Sequence, residues 1–164
     1  MADFKLDGKP MQTVGELPAA GDKAPDFRLA DKHGEVKSLA DFSGRKKLLY
    51  IFPNINTPVC ATSASEFDRH AQDNPDIEML MVSVDLDFDV FCEGGGRANV
   101  TPLSISGDSS FATDYGVLVE QEPLTGRTAR AVVAVDEQDK VIYSRLVPDV
   151  AQEPDYQEAI AAFR

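Results

Sequence analysis

Lys47-Leu48-Leu49-Tyr50-Ile51-Phe52 is an apolar run of strand length, and the residues that follow it, Pro53 to Cys60, lead directly into a helix. A strand that ends at a proline and hands over to a helix is half of a strand–helix–strand unit. The helix is read from Cys60 to about Asp73, because Cys60, Ala64, Phe67 and Ala71 recur at i, i+4, i+7 and i+11 on one face. Asp73-Asn74-Pro75-Asp76 ends it, and Ile77 to Val84 is a second nearly continuous apolar strand. Taken this way, Thr57 is the N-cap, Pro58 is N1 and Cys60 is N3. A thiol in the first turn of a helix meets unpaired N–H groups and the positive end of the dipole, which favour the thiolate. A free cysteine, with a pKa of about 8.5, is only a few per cent thiolate at neutral pH, so the location matters for reactivity.

The rest of the chain supplies the partners such a unit needs. Phe4-Lys5-Leu6 and Met11 to Val14, joined through Asp7-Gly8, form an N-terminal hairpin. Phe27 to Ala30 and Val36 to Leu39 are short strands about a His33-Gly34 turn, and Leu39 to Phe42 is a helical turn closed by Gly44. Asp87 to Arg97 is a short helix or a loop, and it carries the second cysteine, Cys92, beside Gly94-Gly95-Gly96. Pro102 to Ile105 is a strand, and Ser109 to Tyr115 a helix stopped by Gly116. Ala131 to Val135 and Val141 to Ser144 make a hairpin, and Pro154 to Phe163 a terminal helix. This order is that of an α/β, thioredoxin-like fold: a mixed central sheet with helices on both faces and an N-terminal β-hairpin, one domain over residues 1–164.

Composition narrows the partners. A net charge of −12 fits neither nucleic acid nor an anionic membrane surface, since both need clustered Lys and Arg. The one dense basic run, Arg45-Lys46-Lys47, reads as solvated turn residues before a strand. Met1 to Lys5 shows no apolar signal core and no segment reaches the ~20 apolar residues that span a bilayer, so a cytoplasmic protein is expected. In a reducing compartment a lone cysteine pair is redox-active more often than structural. Two cysteines and two distant histidines make no plausible zinc site, and His33 and His70 read as structural or solvated. With no C-x-x-C present, a general disulfide oxidoreductase is disfavoured. Arg130 opens an apolar strand, where a charged side chain needs a reason to be present.

Pro53-xxx-Thr57-xx-Cys60 matches the PxxxTxxC signature of peroxiredoxins. With Gly21 to Phe27, Pro123 to Val133 and Glu153-Pro154-Asp155-Tyr156, the chain resembles, nearly end to end, the atypical 2-Cys peroxiredoxins of the bacterial thiol peroxidase family. The resemblance implies a peroxidase in which Cys60 is peroxidatic, attacking the O–O bond of hydrogen peroxide or an organic hydroperoxide and becoming a sulfenic acid. Arg130 would stabilise thiolate, substrate and departing charge, and Pro53 would shield the pocket from water. The Thr57 hydroxyl has two competing uses, capping the helix or hydrogen-bonding the peroxide. Cys92 would resolve the sulfenic acid as an intramolecular disulfide, which thioredoxin would reduce. No metal, flavin or haem is implied, and a homodimer is.

Two departures stand out. The family's basic residues after the peroxidatic cysteine are replaced by Ala64-Ser65-Glu66-Phe67, and Glu66 would weaken the field that favours the thiolate. The segment Leu86 to Cys92 lacks the family's proline and is about two residues shorter, over half a helical turn, which would turn Cys92 to another face. Alternatives are therefore a one-cysteine peroxidase and a non-enzymatic redox-sensing domain.

Overall fold

A computed structural model of the chain describes residues 3–6, 8–31, 33–42, 44–53, 66, 69–84, 101–105, 110–121, 125–149 and 155–163. Among these, a seven-stranded mixed sheet carries the fold. Its strands are β3 (Leu29–Ala30), β4 (Val36–Lys37), β5 (Lys46–Ile51), β6 (Ile77–Val84), β7 (Thr101–Ile105), β10 (Ala131–Val135) and β11 (Val141–Leu146). They lie in the order β11-β10-β5-β6-β7-β3-β4. β5, β6 and β7 run parallel, while β10 and β11 on one side and β3 and β4 on the other are antiparallel.

The central strands are buried on both faces, which is why β5 and β6 read as unbroken apolar runs rather than alternating ones. One face carries Leu49, Ile51, Leu80, Val82, Val133 and Val135. It packs on Phe27, the 3-10 turn Leu39–Phe42 and helix α1 (Ser110–Asp114), with Phe27 and Phe111 edge to face at 6.0 Å. The other face carries Leu48, Tyr50, Phe52, Met79, Met81 and Val132. It packs on Ala71 of the helical stretch 69–73 and on helix α2 (Tyr156–Ala161). Helices thus cover both faces, as expected. The stretch 69–73 ends where Asn74 donates from Nδ2 to the His70 carbonyl and from its amide to Ala71. α2 is capped by Asp155, whose carboxylate accepts from the Glu158 amide.

The N-terminal hairpin forms as read, from β1 (Asp3–Leu6) and β2 (Lys9–Gln12), with Gly8 supplying the positive φ of its turn. A two-stranded pair, β8 (Leu118–Val119) and β9 (Arg127–Thr128), was not visible in the sequence. Phe4 and Met11 of the hairpin bury against Val119 and Ala129. Among the described residues, no helix is long and apolar enough to cross a membrane.

The basic run Arg45-Lys46-Lys47, whose last two residues open β5, departs from its expected solvated state. Arg45 is half exposed and pairs with Glu78 at 2.9 Å, and Lys46 pairs with Asp76. Lys47 is instead fully buried. Strand alternation turns it onto the Leu49 and Ile51 face, where its Nζ meets Asp139 at 2.6 Å and donates to the Phe42 carbonyl at 3.1 Å.

Candidate active site

Pro53 and Arg130 are brought to one end of β5 by strand pairing. β10 runs antiparallel to β5 with Ala131 opposite Ile51 and Val132 opposite Tyr50, so the residue preceding β10 lies beside the strand's C-terminal end. That residue is Arg130, and it is 1% exposed. Its backbone is held where the Val147 amide donates to its carbonyl. Side chains two apart share a sheet face, so Arg130 joins Val132 on the face of Tyr50 and Phe52. Its Nη1 donates to the Tyr50 hydroxyl at 2.5 Å, and its Cζ lies 5.9 Å from the Tyr50 ring centroid. Arg130 is thus enclosed rather than solvated, unlike the ordinary strand-end arginine.

Pro53 is buried where the chain leaves β5, and its carbonyl accepts from Arg127 Nη1 at 3.2 Å. Arg127 comes from β9, so two guanidinium groups three residues apart reach back to the same end of β5. Thr57, Cys60 and Cys92 lie outside the described residues.

Tyr50 and Arg127 were not singled out from sequence. A tyrosine inside an aliphatic strand was the available signal for the first, because a fully buried phenol generally has a partner for its hydroxyl. For Arg127 the signal was its i, i+3 spacing to Arg130. Glu66, expected to oppose a thiolate, does not stand as an isolated charge: Arg69 meets it at 2.6 Å. The hydrogen bond from Arg69, and then its charge, hold the Glu66 carboxyl below its ordinary range. His70 packs its ring on Tyr156 at 5.4 Å, a structural position.

A mixed sheet of this order, followed in sequence by a cysteine a few residues past its central strand, fits the thioredoxin-like class of thiol-redox proteins. The Redoxin family matches residues 19–160. The chain is 45% identical to the thiol peroxidase of Mycobacterium tuberculosis, covering 99% of this chain and 98% of that one. It is 44% identical to the thiol peroxidase of Corynebacterium glutamicum, covering 99% of each. Among solved structures, a peroxiredoxin-like protein of Aquifex aeolicus superposes with a TM-score of 0.89 at 31% identity, covering 98% of this chain and 95% of the other. The fold is also that of the thiol peroxidase of Chromobacterium violaceum, with a TM-score of 0.90. The chain belongs to the thiol peroxidases of the Redoxin family, enzymes that reduce peroxides at the expense of a thiol.

Proposed function

We propose that the chain reduces hydroperoxides through Cys60 and resolves the product through Cys92. The Cys60 thiolate attacks the terminal oxygen of the peroxide. The O–O bond breaks, an S–O bond forms, and Cys60 becomes a sulfenic acid. The departing alkoxide or hydroxide takes a proton and leaves as alcohol or water. The Cys92 thiol then displaces water from the sulfenic acid, giving an intramolecular disulfide. A dithiol reductant of the thioredoxin type returns both cysteines to thiols by exchange.

The observation that carries this reading is the enclosed Arg130 at the end of β5. A guanidinium removed from water is costly unless it meets negative charge and hydrogen-bond acceptors. In the reaction, charge passes from the thiolate to the departing oxygen, and a fixed cation favours both ends of that transfer. Pro53 narrows the entrance and limits water beside the sulfenic acid. Thr57 offers its hydroxyl to the peroxide. The enzyme works in the cytoplasm as a homodimer of one-domain subunits, and the shape of the pocket sets its choice between hydrogen peroxide and larger hydroperoxides.

Mass spectrometry under non-reducing conditions, after one equivalent of hydrogen peroxide, tests the cycle. Loss of two hydrogens with a Cys60–Cys92 linked peptide is expected. A persistent sulfenic or sulfinic acid on Cys60 with Cys92 free would refute resolution by Cys92 and leave a one-cysteine peroxidase. Steady-state turnover of Cys60→Ser should vanish; turnover at the wild-type rate would refute the role of Cys60.

A further inference from the structure

We infer that Tyr50 is the positioning residue of Arg130, setting the direction in which its guanidinium points. The inference rests on the role proposed above for Arg130. Tyr50 is fully buried in the middle of an apolar strand, where phenylalanine would fill the same space without a polar atom to satisfy. Its hydroxyl instead accepts from Arg130 Nη1. The ring also lies within reach of the guanidinium carbon at 5.9 Å, so one side chain meets the cation by two kinds of contact.

Tyr50 can do this because it is itself fixed. Phe52 packs edge-on against its ring at 5.5 Å and 79°, and Tyr156 of α2 lies at 6.1 Å. Tyr50 of β5 and Phe52 just past it lie on one face of the sheet, and Val132 opposite Tyr50 stands two residues after Arg130. The hydroxyl is thus tied to the same pair of strands that bring Arg130 to the site. A long arginine side chain has many rotamers, and a hydrogen bond from a rigid acceptor selects among them. A cation fixed before the reaction stabilises moving charge without reorganising during it.

A double-mutant cycle on the full chain tests the inference. The variants are Tyr50→Phe, Arg130→Gln and the two together, with Arg130→Lys replacing Arg130→Gln should the latter not fold. The readouts are the second-order rate constant of Cys60 with hydrogen peroxide, its pH profile and the melting temperature. Tyr50→Phe should slow Cys60 about 10-fold, the size expected for one charge-assisted hydrogen bond, and raise the apparent pKa in the pH profile. In the Arg130→Gln background the same change should alter the rate less than about 2-fold, because there is no guanidinium left to aim. A purely packing role for Tyr50 would lower the melting temperature and leave the pH profile in place. An unchanged rate in Tyr50→Phe, or an equal 10-fold loss in both backgrounds, would overturn the inference. A wild-type rate in Arg130→Gln would instead overturn the role of Arg130 itself, and the inference with it.

Discussion

Asp139→Asn removes a charge from the partner of a fully buried ammonium group with little change in shape. Lys47 is 0% exposed, whereas the side chain of Asp139 is 24% exposed, so the two ends of the pair are unequal. Breaking a fully enclosed pair by deleting one partner costs about 3–5 kcal/mol, mostly because the other charge is left buried. Here the asparagine keeps a carbonyl oxygen near Nζ, the Phe42 carbonyl remains at 3.1 Å, and one end already touches water. These offsets bring the expected loss to about 2.5 kcal/mol. Asparagine also tolerates the φ of 62° that residue 139 adopts in the β10–β11 turn, so backbone strain does not enter. At this chain length the loss corresponds to a melting temperature lower by about 5–10 °C. The chain has no tryptophan, so urea unfolding of the reduced protein is best followed by far-UV circular dichroism. Lys47→Met provides the contrast. It removes the buried charge and leaves the partly exposed one, so it should cost less than about 1.5 kcal/mol. A loss below about 0.5 kcal/mol for Asp139→Asn, or a larger loss for Lys47→Met, would refute the reasoning.

Three further expectations follow from other contacts. Arg127→Ala removes the donor to the Pro53 carbonyl and should slow peroxide reduction about 5-fold with little loss of stability, read by stopped-flow kinetics and a melting curve. Gly116→Ala would place a Cβ 2.0 Å from the Glu16 carbonyl oxygen at a φ of +68°, so a loss above about 3 kcal/mol, or no soluble protein, is expected in urea titration. Burial alone would raise the Asp31 carboxyl, but the Glu35 and His33 amides and the Lys37 charge together hold it below its ordinary value. A depressed carboxylate contributes stability above its unfolded pKa of about 3.9 and loses it as pH falls through the folded value. Asp31→Asn should therefore be less stable than wild type at neutral pH, with the gap closing below about pH 4 in parallel acid titrations.

The sheet was legible because its central strands are apolar on both faces. Ile77–Val84 forms with the bounds read from sequence, and the hairpin and the terminal helix fall within two residues of theirs. Arg130 drew notice as a cation opening an apolar strand and Pro53 through the PxxxTxxC pattern, and strand pairing puts both at the same end of β5. What escaped depends on register between distant segments. Lys47 looked like the last of three solvated cations, and only strand alternation and the turn bearing Asp139 make it a buried one. Tyr50 looked like one more core aromatic, since nothing local to it announces a guanidinium 80 residues away. β8 and β9 are two residues each, too short for any periodicity to show.

The N-terminal hairpin is wired to the far end of β5 through a relay of contacts. Gln12 donates its amide to the Gln121 side chain just past β8, and along β8 Thr13 bridges to Val119 and the Val14 amide bonds to Leu118. β8 pairs with β9, and β9 carries the arginine that grips Pro53. A second tether runs from Lys5 and Gly8 to Pro148 and Asp149, just beyond the residue that holds the Arg130 backbone. Residues 3–6 and 8–14 therefore act as a buttress for both guanidinium groups at once. A fusion placed at the N-terminus would load the segment that braces Arg127 and Arg130, and one at the C-terminus would load α2, whose Tyr156 packs on Tyr50.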